Sequence, residues 1–223
     1  MNRKVKAPSR SFLPHPLELA LLLTFASFLL VEVFTDTGFK ESVNLWSQGL
    51  WSLLPFMAQM ALILLGGFVV ADSRWVQAFL GRVVGFVPDG PMAYLSAFWV
   101  SALACWLNWG FGLVVSAFYA RALSSKKQNL HFPLVVALSY LGFIFWHGGL
   151  SGSIPLVVNT PDHFASQWMP SLMPLSETIF SWFNILLITV LIVSLSVVIL
   201  RVSQRRVEPL VPLSLHGDVL PSI

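Results

Sequence analysis

Charge is the scarcest property of this chain. Only 10% of its 223 residues are Asp, Glu, Lys or Arg, against 56% hydrophobic residues. Soluble domains carry about a quarter charged residues. The composition therefore excludes an ordinary soluble domain and points to an integral membrane protein. Cysteine is almost absent as well. With Cys105 alone, no intrachain disulfide can form, and its apolar surroundings read as those of a buried, inert thiol. The chain has no glycine-rich nucleotide motif, no metal-ligand cluster and no basic stripe. Neither cofactor, metal nor nucleic acid is expected.

The longest informative absence of charge runs from His131 to Pro161, HFPLVVALSYLGFIFWHGGLSGSIPLVVNTP. It opens as a membrane helix over Phe132 to Trp146. It then meets Gly148, Gly149, Ser151, Gly152, Ser153 and Pro155 before turning apolar again at Leu156. Glycines at this density break a helix, and Pro155 has no backbone N–H to donate. Unwound backbone at membrane depth is tolerated where it lies in protein or lines a cavity. Transporters build substrate sites from such broken helices, so His147–Pro155 is read as the centre of a site.

Apolar runs and the placement of Lys and Arg set the topology. Residues 17–33 and 50–71 read as two spans, joined by a short polar connection over Asp36 to Gln48. The Gly66-Gly67 pair in the second span suits close helix packing. Arg74 to Val87 has helical periodicity with a polar face and reads as an interfacial amphipathic helix. Pro91 to Ala120 is free of charge. As one helix it would run about 45 Å, against a hydrocarbon core of about 30 Å. A full crossing would also place Arg121, Lys126 and Lys127 outside, against the positive-inside rule. A re-entrant hairpin with Asn108–Gly112 at its tip keeps them inside.

The expected fold is therefore all-α. It is a polytopic transmembrane bundle with spans at 17–33, 50–71, 132–158 (broken) and 178–200, and a hairpin over 91–120. The basic residues 1–16 and the tail 201–223 are both cytoplasmic, the tail proline-spaced and poorly ordered. The apolar run after MNRKVKAPSR lacks a cleavage site, so the N-terminus reads as retained.

The stretches SFLPHPLELALLLTF, LWSLLPFMAQMALILLGG, CWLNWGFGLVVSAFYAR and YLGFIFWHGGLSGSIPLVVNTP resemble the short-chain fatty acid transporter family. These are bacterial inner-membrane carriers associated with acetoacetate and butyrate, within a superfamily of inverted-repeat transporters. The resemblance runs from about Phe12 to Leu200 and covers the family's first half. It implies secondary transport of a short-chain fatty acid anion, coupled to a proton or sodium ion. It also implies a partner, either a second copy or a chain carrying the second half.

A short fatty acid is a carboxylate on a small apolar tail. Neither the hairpin nor the broken span offers Lys or Arg, so the anion must be held by backbone N–H groups and hydroxyls. Half-helix N-termini near Gly112 and near Ser153–Pro155 supply both donors and partial positive charge. Expected substrate-binding residues are Asn108, Trp109, Gly110, Gly112, Gly148, Gly149, Ser151, Gly152 and Ser153. Trp109, Phe111, Phe145 and Trp146 are candidates to enclose the tail. His147 is the proton-coupling candidate, since histidine titrates nearest physiological pH. The same glycines and aromatics also suit plain packing, and His147 suits a structural hydrogen bond. A rival reading takes Gly149-Leu150-Ser151-Gly152 as the Gly-x-Ser-Gly pattern of an intramembrane serine protease, which needs a histidine base in reach of Ser151. A third is a non-transporting membrane protein, either a truncated half-carrier or an accessory subunit.

Overall fold

The computed structural model describes residues 15–204 except 128, 162, 164, 165, 167 and 170. Most of the basic N-terminus, the tail from 205, and Asp162 and Pro170 between the broken span and the last span lie outside the described residues. Among the described residues every regular element is helical. The chain divides into two units, Met1–Pro55 and Phe56–Ile223.

The first unit holds α1 (Pro16–Phe34) and α2 (Phe39–Ser52). Pro16 opens α1 at a position where a missing N–H costs nothing. The Glu18 carboxylate accepts the His15 backbone N–H at 3.0 Å, closing a capping box. No residue of α1 is buried in this chain; a helix apolar on all sides is one made for lipid. The polar connection expected over Asp36 to Gln48 is instead largely helical. Phe39, Val43, Trp46 and Leu50 recur at helical spacing. The ring of Phe28 on α1 meets both Phe39 and Trp46 at 6.3 Å, so a polar-looking sequence gains an apolar seam.

The second unit is built around a helical hairpin. Helix α3 (Leu54–Ala71) leads into α4 (Arg74–Phe86), where the Ser73 hydroxyl oxygen accepts the Val76 N–H. Helix α4 buries Leu80 and Val84, and leaves Trp75, Phe79 and Phe86 exposed on its other side. Helices α5 (Pro91–Leu107) and α6 (Trp109–Lys126) are separated by Asn108 alone. At 1.5 Å per residue they are about 25 and 27 Å long. They run antiparallel, as three contacts show. Gly112 lies against Cys105, the Ser116 hydroxyl donates to Ser101 Oγ at 2.7 Å, and the Tyr119 hydroxyl reaches Ser96 Oγ at 3.0 Å. Small residues at 93, 97, 101 and 105 form the stripe on α5 that admits α6 this closely. Phe98, Tyr119, Leu123 and Val135 are among the most buried side chains. The hairpin is thus the core of the unit, with α4, α7 and α9 around it.

Helix α7 (Phe132–Leu141) tightens into a 3-10 turn over Gly142–Phe145, unwinds, and resumes as the six-residue α8 (Ser153–Val158). Gly142 fits because its Cα lies against Ser101 and Ala102 of α5. The sequence places the first half of this span through Trp146; the α-helix ends earlier, at Leu141. The last helix, α9 (Trp182–Ser203), starts four residues after the expected Thr178, because the Ser181 hydroxyl oxygen caps the Asn184 N–H. Among the described residues three runs are long and apolar enough to cross a membrane, within Pro16–Phe34, Phe39–Ala71 and Trp182–Ser203. This is a multi-pass membrane protein.

Candidate functional site

The hairpin tip and the helix break meet. Asn108 caps both helices of the hairpin. Its backbone N–H closes α5 on the Ala104 carbonyl, and its Oδ1 accepts the Phe111 N–H at 2.9 Å to open α6. Helix α6 therefore begins at Trp109, not at Gly112 as its glycines suggest. Its first-turn amides are almost all committed. That of Trp109 goes to Ser151, that of Phe111 to Asn108 Oδ1, and that of Gly112 to the Asn108 carbonyl.

The Trp109 N–H donates to Ser151 Oγ at 2.8 Å across 42 residues of sequence. One step away the Leu150 N–H donates to the Trp106 carbonyl at 2.7 Å. Gly149 sits directly on the Trp106 backbone, where a Cβ would come within 2.8 Å of its Cα. The indole of Trp146 closes the turn by donating to the Ser151 carbonyl at 3.1 Å. Its ring lies 5.3 Å from that of Trp109. The break is thus pinned to the hairpin tip by the Leu150 and Ser151 hydrogen bonds and by an approach at Gly149 that leaves no room for a Cβ.

The expected site residues fall into three groups. Asn108, Trp109, Ser151 and Gly149 are brought together at this junction. Gly110, Gly112, Gly148 and Gly152 are close-approach positions. Gly110 lies against Ile63 and Leu64 of α3, Gly112 against Cys105, Gly148 against Asn184, and Gly152 against the His147 carbonyl. Ser153 is buried and donates to the Met60 sulfur at 3.7 Å. Phe145 turns away into the core, where it packs edge-on against Phe98 at 5.9 Å. His147 is exposed on this chain and stacks on Trp146 at 4.1 Å. No hydrogen bond joins it to Ser151 among the described residues, so the base that a serine protease needs is not supplied by His147.

The Trp109 indole N–H is buried without a partner among the described residues. The Ser151 hydroxyl accepts from Trp109 and keeps its own proton. Buried polar groups left in this state are uncommon and call for an explanation. One contributor escaped the sequence reading. Asn184 of α9 donates from Nδ2 to the Gly148 carbonyl at 3.0 Å and to the Ile179 carbonyl at 2.7 Å. Its signal was there: a lone amide early in an otherwise apolar span.

The family model described as "Short chain fatty acid transporter" matches residues 1–211. A Haemophilus influenzae protein is 35% identical over 190 residues, covering 82% of this chain and 42% of its own length. An Escherichia coli protein is 37% identical over 182 residues, covering 82% and 41%. Both bear the name "Putative short-chain fatty acid transporter", a name of transporters and not of enzymes. The chain spans less than half the length of these relatives. No solved structure matches it.

Proposed function

The chain belongs to the short-chain fatty acid transporter family, and on that premise we propose that the junction of hairpin tip and helix break is a carboxylate site. The protein takes part in secondary transport of short-chain monocarboxylates, of the butyrate and acetoacetate type, across the bacterial inner membrane. The observation that carries this reading is the Trp109 N–H to Ser151 Oγ bond. It joins the two interrupted helices at one point, and around it lie donors without acceptors. Asn108, Trp109 and Ser151 hold the carboxylate, and the Trp109 and Trp146 rings take the alkyl tail. A site of neutral donors suits a monovalent anion that must be released again.

In this reading the hairpin re-enters the membrane from the cytoplasmic side, where both termini also lie. The tip and the break move together to alternate access, and His147 carries the coupled proton. A second hairpin and break complete the carrier, from another copy of this chain or from a chain with the family's second half. The test is uptake of labelled butyrate by cells expressing Asn108→Ala or Ser151→Ala. Reduced uptake at unchanged membrane expression supports the site. Unchanged uptake in both variants removes it.

A further inference from the structure

A cavity of about 240 Å³ lies between α6 and α7, along the part of α6 that follows the tip. Its walls are mainly apolar, from Leu113, Ala117, Phe132 and Val136, with Ser116, Arg121, Ser139 and Tyr140 also on the lining. Ser116 is already engaged, its hydroxyl lying 2.7 Å from Ser101 Oγ. Ser139 is not. It is 3% exposed and its hydroxyl has no partner among the described residues, which is costly in an apolar site. Arg121 makes no ion pair among the described residues. Among the described residues the cavity therefore combines an exposed cation without a counter-charge and a buried hydroxyl without an acceptor, on walls that are mostly apolar.

We infer that this cavity is a second binding site, which takes a small aliphatic carboxylate. The carboxylate meets the Arg121 guanidinium and accepts the Ser139 hydroxyl proton. The alkyl tail lies on Leu113, Ala117 and Val136. Between Leu113 and Arg121 the groove runs about 12 Å along α6, room for a short acid rather than a full lipid chain. The ligand class rests on the function proposed above, while the site is separate from the junction. It supplies the charge complement that the junction lacks, so it holds the anion before or after the junction does. An anionic lipid headgroup offers the same charge, and the experiment separates the two sources.

The experiment is protection of Ala117→Cys from N-ethylmaleimide, with the full chain in phosphatidylcholine nanodiscs. The unsubstituted chain, whose Cys105 is fully buried, is the blank. Butyrate at ten times its Kd slows labelling about tenfold, since only the empty fraction reacts. Protection persists with Ser151→Ala added, and is lost with Arg121→Gln or Ser139→Ala added. Arg121→Lys, which keeps the charge, retains part of it. Circular dichroism checks that each variant is helical, and Ser139→Ala decides if Arg121→Gln does not fold. Three results overturn the inference. Butyrate gives no protection; protection vanishes with Ser151→Ala, which assigns it to the junction; or phosphatidylglycerol alone protects equally, which assigns the cavity to lipid. Failure of the junction itself is read separately, in uptake by the Asn108 and Ser151 variants.

Discussion

Gly66 and Gly67 are neighbours on α3, share one helix and one propensity, and have opposite surroundings. A Cβ on Gly66 meets nothing within 4 Å. A Cβ on Gly67 comes within 2.6 Å of the Gly110 carbonyl carbon and 2.8 Å of Phe111 Cα, at the start of α6. These are backbone atoms and cannot rotate away. Ordinary carbon contacts lie at about 3.5–4.0 Å, so Gly67→Ala must push α3 off the hairpin by about 1 Å. Replacing a mid-helix glycine with alanine gains about 0.5–1 kcal/mol in either position. Overpacking costs about 1–3 kcal/mol at Gly67 only. The two variants should therefore differ by about 1–3 kcal/mol, with Gly66→Ala equal to or above the parent and Gly67→Ala below Gly66→Ala. Sodium dodecyl sulfate titration of the purified chain in mixed micelles, followed by circular dichroism, reads the difference directly. If Gly67→Ala unfolds at the same or higher detergent fraction than Gly66→Ala, the packing of α3 on the hairpin tip is wrong.

Other predictions test the junction and its surroundings. Ser151→Ala removes the acceptor of the Trp109 N–H and should lower stability in the same titration by about 1 kcal/mol, the scale of single hydrogen bonds between membrane helices; no loss would mean that the bond does not form. Asn184→Leu abandons two carbonyls, of Gly148 and Ile179, and should cost about 1–2 kcal/mol on that scale. It should also raise hydrogen exchange over residues 146–152, and unchanged exchange there would exclude Asn184 as the anchor of the break. Asp89→Asn breaks the 3.2 Å pair with Lys127. Because Asp89 is exposed, the change should stay within about 1 kcal/mol, and a larger loss would contradict its solvated placement. His147→Gln should flatten the pH dependence of butyrate uptake, and a profile that overlays the parent would sever His147 from proton coupling.

Much of this architecture is legible in the sequence because its main signals are punctuation. Asn108 between two apolar runs marks the hairpin turn, and the glycines after His147 mark the break. Each is a place where the backbone must leave the helix. The helix in residues 39–52 is harder to see. Lys40, Glu41, Asn44 and Gln48 make it look like a loop, and only the contact of Phe28 with Phe39 and Trp46 reveals its apolar seam. The same limit applies at the site. Sequence separates Asn108, Gly149 and Ser151 into two motifs, and nothing in their spacing says that Trp109 bonds to Ser151. Nor does spacing distinguish Phe145, which joins the core, from Trp146, which joins the junction. Adjacent residues on a tightening 3-10 turn point apart, and that depends on where the turn begins. Asn184 is hard to single out because one amide in a long span is a weak mark until its two carbonyl partners are known.

Mapping the ligand covalently tests the junction most directly. A short aliphatic acid bearing a diazirine, photolysed with the purified chain in nanodiscs, leaves its label on the residues it touches. Peptide mass spectrometry should place label on Asn108–Phe111 and on His147–Ser153, and excess butyrate should remove it from both. Label that butyrate displaces but that is absent from both segments would contradict the assignment of the carboxylate to the meeting point of hairpin and break.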